Sequence, residues 1–305
     1  MQRSFFQTVS KYKILLLMLL PATIYVLIFS YLPMGGVILA FKNYNYADGI
    51  FGSPWCGIDN FKFFFSSGQA FKVTRNTLVY NCLFIVINLL FQVGVAVLLS
   101  ELHGKHYKKI AQSVMFLPYF ISWVIVSVIA FNFFSSDYGL INKLLAAVGQ
   151  KPIDFYQTPG VWLPIMIFFN TWKNIGYGTV MYLAAIMGID TSTYEAADID
   201  GANVFQRIFH ITIPALMPTI VILLLLSVGG IFRGNFDMFY QLVGSNGNLF
   251  DYTDVIDTFT FRALISNNDV GMAAASGLYQ SVFCLVAILV TNFCVKKYDP
   301  DYSLF

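Results

Sequence analysis

The sequence predicts an all-α integral membrane protein that crosses the bilayer six times, with both termini on the cytoplasmic side. Three observations carry this. First, 57% of the 305 residues are hydrophobic and only 11% are charged, under half the roughly 25% of a soluble domain, so much of the apolar surface is meant for lipid. Second, six stretches reach the roughly 20 mainly apolar residues that a spanning helix needs. Third, the polar material falls between those stretches, and its longest late interruption is Ser192–Pro214.

In chain order the expected spans are Ile14–Leu32, Thr77–Leu99, Ile110–Phe134, Val161–Met187, Ile213–Phe232 and Gly271–Val295. The first follows Arg3, Lys11 and Lys13 like a signal peptide. It is long enough to span and no small-residue cleavage site follows it, so it reads as an uncleaved helix. Pro21, Pro118, Pro164 and Pro218 fall within spans, which tolerate proline where neighbours re-satisfy the freed carbonyl. The chain divides into an anchor helix with an aromatic-rich external loop (1–76), a five-helix core (77–295) and a short cytoplasmic tail (296–305). Placing the N-terminus inside puts nine of the 18 Lys and Arg in the cytoplasm. That is a tie, but the cytoplasmic segments are the shorter ones and so carry the denser positive charge.

Several function classes are excluded. A net charge of +2 without a long basic cluster gives nucleic acid nothing to hold. Cys56, Cys82, Cys284 and Cys294 form no CxxC pair and read as packing residues rather than a disulfide or metal site. No Walker A, HExxH or GxSxG pattern occurs, so no catalytic residue and no metal site is expected. The first external segment holds Phe41, Tyr44, Tyr46, Phe51, Trp55, Phe61, Phe63, Phe64 and Phe65. It is either an interfacial aromatic belt or a docking surface for an external partner.

The polar interruption has an internal order. Ser192-Thr-Tyr-Glu195 and Asn203-Val-Phe-Gln206 both fit a capping box. Gly201 stands where the first short helix should end, with positive φ. Two short helices around a glycine bend result, acidic at Asp190, Glu195, Asp198 and Asp200 against the single base Arg207. Ala196, Ala197 and Ala202 are small enough for another surface to approach. The arrangement is a capped loop joining two spans or a rigid plug for a partner, and the two are compatible.

The spacing Glu195-Ala196-Ala197, Gly201, Ile211, Pro214 resembles the EAA loop of ABC-importer permeases, with Ile213 where that family has Leu. Further segments are similar to its oligosaccharide and polysaccharide subgroup, which includes alginate-type importers. They are EAADIDGA (195–202), GIDNF (57–61), YLPMGGVILAFKNYN (31–45), WKNIGYGTVMYLAAI (172–186) and DVIDTFTFR (254–262), in order along nearly the whole chain. The resemblance implies a type I ABC-importer permease fold in a bacterial plasma (inner) membrane. The loop at 190–214 would dock on a cytoplasmic ATPase through Glu195, Ala196, Ala197, Asp200, Gly201, Ala202 and Pro214. It further implies a second permease that is a different homologous chain, two ATPase subunits that bind ATP and Mg, and an extracytoplasmic sugar-binding protein. This chain itself would hold no cofactor and would not be an enzyme.

For the substrate path, Asn170, Asn174 and Tyr177 share one helix face. Lys173 at mid-span costs roughly 2.5–3.5 kcal/mol, so it should face protein or a water-filled cavity. With Trp172 it offers an aromatic face and donors, as a sugar ring requires, or it locks a kink near Pro164. Asn235, Asp237, Tyr240 and Gln241 in Arg233–Gln241 are a second candidate wall or an ordinary loop. Asn81, Asn88, Gln92 and Gln280 read as interhelical glue. An ion-coupled secondary transporter is the alternative, although the span centres hold no carboxylate and no repeat is visible.

Overall fold

The computed structural model describes residues 11–102, 104–298 and 300. Arg3, the side chain of Phe63 and most of the expected tail past Tyr298 lie outside the described residues.

α1 (Lys13–Val26) is apolar all round and buries nothing. A π turn, Leu27–Tyr31, and a 3₁₀ run, Leu32–Phe41, continue it, so the first span is longer than its apolar run. The segment that follows, expected outside, holds two short helices, α2 (Gly49–Gly52) and α3 (Asp59–Ser66). Buried Lys42 donates to the carbonyls of Ile50 and Phe51 at 3.0 and 2.7 Å and pins this segment. Its aromatics divide. Phe64 is fully buried against Phe259 and Tyr279, whereas Phe51 is 86% exposed. Phe64 is therefore core, neither belt nor docking surface.

α4 (Gln69–Glu101) begins two turns before the expected span and runs unbroken for 33 residues. The expected third span is not one helix. α5 (Lys105–Phe120) and α6 (Trp123–Phe134) meet at 94°. Pro118 sits in the last turn of α5, and Ser122 restarts the chain by accepting a bond from the Ile125 N–H. A proline removes a ladder donor and a serine cap begins a new helix, which together make the corner. α7 (Leu140–Ala147) then leads to α8 (Trp162–Met187). Pro164 lies in the first turn of α8, where no intrahelical donor is needed. The helix is consequently unbroken, and the kink expected there is absent.

α9 (Thr191–Ile199) and α10 (Val204–Arg207) form the polar loop. A π turn, Ile208–Thr212, carries α10 directly into α11 (Ile213–Gly229). The second short helix is thus the base of the fifth span rather than a separate piece. The π turn lies just before Pro214, which has no N–H to return to the preceding turn. α12 (Phe236–Val243), α13 (Phe250–Thr253) and α14 (Ile256–Ile265) fill the next connection, and α15 (Val270–Tyr298) closes the chain.

Among the described residues four helices are long and apolar enough to cross a membrane, or five if the bent α5–α6 pair is one span. The remaining expected span, α8, is the polar centre of the bundle, with twelve of its 26 residues buried. It packs along α4 on one side and α5 on the other. Gly176 permits the second contact, since a Cβ there would lie 2.0 Å from the Met115 carbonyl oxygen. Three hydrophobic clusters hold the elements together. One gathers α4, α6, α8 and α12 around Trp162 and Met166, and a second gathers α3, α4, α14 and α15 around Phe64. The third joins the ends of α4 and α8 to Leu216 of α11, beside the loop.

Candidate functional site

The loop is built from local bonds. Asp190, not Ser192, caps α9, and its carboxylate accepts from the Ser192 N–H at 3.0 Å. The expected Ser192–Glu195 box does not form, because the helix begins two residues earlier than that spacing assumes. The Ser192 backbone N–H and hydroxyl hold the Asp190 carboxyl below the usual carboxylate range. At the other end Gly201 has φ +75°. The Ala202 N–H donates to Ala197 O at 2.9 Å and the Gly201 N–H to Asp198 O at 3.1 Å. This pair of bonds is the Schellman closure that a left-handed residue permits. Asn203 and Gln206 then form the reciprocal box that their spacing predicts, at 2.9 and 2.8 Å. Tyr194 on α9 hydrogen-bonds Thr212 in the π turn at 2.9 Å.

This rigid corner presents Glu195, Ala196, Asp200 and Gly201 to the outside, with Ala197 and Ala202 half-buried behind them and Pro214 exposed one element on. Ile199 and Phe205, on either side of the bend, are 87% and 73% exposed. Sequence reasoning passed over both, although two large apolar residues flanking a capped glycine bend were a readable signal of a contact surface.

At the other end of the bundle, α4, α8, α11 and the 233–235 turn enclose a groove of about 560 Å³. Asn170, Asn174, Tyr177 and Asn235 line it as expected. Asn81, Asn88 and Gln92, expected only as interhelical glue, line it as well. They also act as glue. Asn88 Nδ2 donates to Asn170 Oδ1 at 2.8 Å, and Gln92 Nε2 donates to Asn174 O at 3.1 Å. Asn81 Nδ2 donates to Ile231 O and Arg233 O at 2.8 and 2.9 Å. Asn88 Oδ1 remains buried without a partner. Tyr177 stacks on Tyr119, with centroids 4.7 Å apart. The wall is amide-rich and aromatic, and Arg233 is its one charged member among the described residues.

The other candidates are elsewhere. Lys173 Nζ donates to Pro118 O, Tyr119 O and Ile121 O at 3.3, 2.6 and 2.5 Å, and it lies over the rings of Tyr119 and Trp123. An ammonium has three hydrogens, and these three carbonyls use them all. Lys173 closes the α5–α6 corner and is not a free donor to the groove. The locked bend is real, but it lies in the neighbouring segment rather than in α8. Asp237 and Gln241 share a second recess, of about 360 Å³, with Lys173 and Tyr119–Val124. Trp172 packs into the first hydrophobic cluster, and Tyr240 stacks on Phe236. Neither lines the groove. The turn at its mouth is held from α14, where Asp257 Oδ2 accepts from the Gly234 N–H at 2.6 Å and from Gln280 Nε2 at 2.7 Å. Burial pushes the Asp257 carboxyl up, against the opposing pull of those two donors. No cluster of three metal-ligating side chains occurs among the described residues.

Comparison with known proteins agrees with this geometry. Among curated proteins, Protein LplB of Bacillus subtilis (strain 168) is 37% identical over 289 residues, covering 95% of this chain and 90% of that protein. The polygalacturonan/rhamnogalacturonan transport system permease protein YteP of the same organism is 34% identical, covering 95% and 89%. Among solved structures, a bacterial ABC transporter involved in the import of the acidic polysaccharide alginate matches with a TM-score of 0.87 at 33% identity, over 96% of this chain and 99% of that one. The second and third of these are transport proteins by name, not enzymes. Residues 75–300 match the family model described as binding-protein-dependent transport system inner membrane component, and the chain belongs to that family of ABC-transporter permeases.

Proposed function

We propose that this chain is one of two permease subunits of an ATP-driven importer for an oligosaccharide or polysaccharide fragment. Its six spans, α8 and the bent α5–α6 pair among them, have both termini in the cytoplasm. The carrying observation is the capped corner at α9–α10. It is rigid by its own local bonds and presents Glu195 together with exposed Ile199 and Phe205, which suits it to seat in a cleft of a cytoplasmic ATPase subunit. Gly201 sets the bend between the two helices. ATP and Mg are bound by that partner. Closure of an ATPase pair on nucleotide would favour one orientation of the spans, and the loaded external binding protein would contribute through its own differential affinity.

The substrate class rests on the groove and on the relatives. Amide side chains paired with a stacked tyrosine suit hydroxyls and the apolar face of a sugar ring. The alginate importer and the polygalacturonan/rhamnogalacturonan permease carry sugar polymers by name. The groove is one wall, which a second, homologous permease would complete. No carboxylate lines it among the described residues, which sets it apart from an ion-coupled site.

The test is uptake into proteoliposomes containing both permeases and two ATPase subunits, with the binding protein outside. Uptake should require ATP. Glu195→Ala and Gly201→Asp should abolish it while the protein stays in the membrane. Uptake on an ion gradient alone, or survival of both variants, would overturn the proposal. Binding of candidate sugars to the external protein identifies the cargo.

A further inference from the structure

Arg207, the last residue of α10, reaches two other helices. Its Nη1 donates to Asp198 Oδ1 on α9, and its Nη2 donates to Glu101 Oε2, on the last residue of α4, at 3.2 Å. The Arg207 and Glu101 side chains are both largely covered, at 21% and 25% exposure, whereas Asp198 is more open. A guanidinium is a planar fork that holds two carboxylates in fixed relative positions, so the three helix ends share one ionic node.

The node matters because of what α4 is. It is a 33-residue helix without a break, roughly 50 Å long at 1.5 Å per residue. One end touches Arg207 through Glu101, and further along it carries Gln92, Asn88 and Asn81 into the groove. The loop is continuous in the chain with α8 and α11, yet it has no covalent path to α4 other than through the whole of α5 to α8. The Tyr194–Thr212 bond fixes α9 to the base of α11, which leaves α4 as the groove wall that must be reached by side chains.

We infer that Arg207 is the positioning residue through which the coupling loop moves α4, and with it the amide wall of the groove. This rests on the reading of the loop as the ATPase contact. Displacement of α9 passes through Asp198 and Arg207 to Glu101 and tilts α4 as a rigid rod.

The experiment uses the full complex in proteoliposomes, with ATP hydrolysis measured with and without sugar-loaded binding protein, and uptake measured alongside. Arg207→Met should copurify with its partners and hydrolyse ATP at the basal rate. Stimulation by the loaded binding protein and uptake should both fall at least about fivefold, the low end of a typical coupling free energy. Glu101→Gln, which keeps the Arg207–Asp198 bond, should fall in the same direction. Exchanging the charges, Glu101→Arg with Arg207→Glu in an Asp198→Asn background, should restore part of the stimulation. Near-normal stimulation in Arg207→Met and Glu101→Gln, with Glu195→Ala inactive, overturns the inference and leaves the coupling reading intact. If Glu195→Ala is also active, the coupling reading itself falls. Should Arg207→Met fail to copurify, Glu101→Gln decides: an uncoupled complex supports the node and a normal one overturns it.

Discussion

The chain has two polar interruptions, one on α8 from Asn170 to Tyr177 and one in the loop from Asp190 to Gln206. They use similar residues and reach opposite outcomes. In the loop the capping side chains satisfy backbone groups two or three residues away, as Asp190 does for Ser192 and Asn203 for Gln206. On α8 the partners are far along the chain. Lys173 reaches Ile121 across 52 positions, the Asn170 side chain meets Asn88 across 82, and Gln92 reaches the Asn174 backbone carbonyl across 82, although the Asn174 side chain itself bonds the Asn170 carbonyl one turn back. Local bonds leave the outer face of the loop free for another protein. Distant bonds spend the polar groups of α8 on holding three helices together. Under the proposed function, polarity in the loop therefore serves contact, whereas polarity on α8 serves assembly.

Lys173→Met is the sharpest way to break this comparison. It nearly keeps the length of the side chain and removes every donor, taking that partner from the Tyr119 and Ile121 carbonyls while Pro118 O keeps the Ile121 N–H. Hydrogen bonds to a charged group contribute about 1.5–3 kcal/mol each, and part of the loss is offset by no longer burying the charge, so the net loss expected is about 3 kcal/mol. Thermal unfolding of the detergent-solubilised protein reads it as a lowered midpoint. Lys173→Arg should not rescue, since a planar fork cannot place three hydrogens on carbonyls converging at one corner. An unchanged midpoint in Lys173→Met would mean that the corner is held by Pro118 and Ser122 alone.

The same distinction explains what was legible in the sequence. Gly201 and the Asn203–Gln206 box were readable because cause and effect lie within four residues, although the cap at the other end moved from Ser192 to Asp190. Four of the six expected spans were readable from apolar length, or five with the bent pair, with their ends displaced wherever a helix continues beyond its apolar run, as α4 and the α10–α11 junction do. The α5–α6 corner was not readable as a 94° break, because Pro21 and Pro218 sit in similar apolar runs inside continuous helices. What distinguishes Pro118 is the Ser122 cap four residues on together with Lys173 from another helix, and no local pattern carries the second. Asn81, Asn88 and Gln92 were correctly read as interhelical bonds. Their second role at the groove depends on which way the α4–α8 pair faces, and that is a tertiary fact.

A smaller effect should come from the loop. Asn203→Ala removes one half of the capping box and should cost about 1 kcal/mol. That loss is local, because a loop with few buried contacts opens without unfolding the bundle. The global midpoint should therefore scarcely move, while hydrogen exchange at the Gln206 amide quickens and ATP-driven uptake falls. If the global midpoint fell as far as it does for Lys173→Met, the loop and α8 would be one cooperative unit and the contrast between them would not stand.

The smallest effect concerns two carboxylates that are shifted in opposite senses. Asp190, exposed in the loop, is held below the ordinary value by the Ser192 backbone N–H. Asp257, behind the groove mouth, is pushed above it, chiefly by burial. A depressed carboxyl contributes stability that is present at neutral pH and is lost only as pH falls through its low folded-state value. A raised carboxyl does the reverse. Between its folded-state value and about 3.9, the value of an unperturbed Asp, the folded protein binds the extra proton, so stability rises as pH falls. Mild acidification from neutral pH should therefore reach Asp257 first and leave Asp190 ionised. The thermal midpoint of the wild-type protein should hold or rise slightly over that interval relative to Asp257→Asn. That variant keeps an oxygen to accept from Gly234 or Gln280 but has nothing to titrate. If wild type and Asp257→Asn trace the same pH profile, Asp257 binds its proton equally in the folded and unfolded chains, its two donors offset its burial, and the turn at the groove mouth is held by a carboxylate.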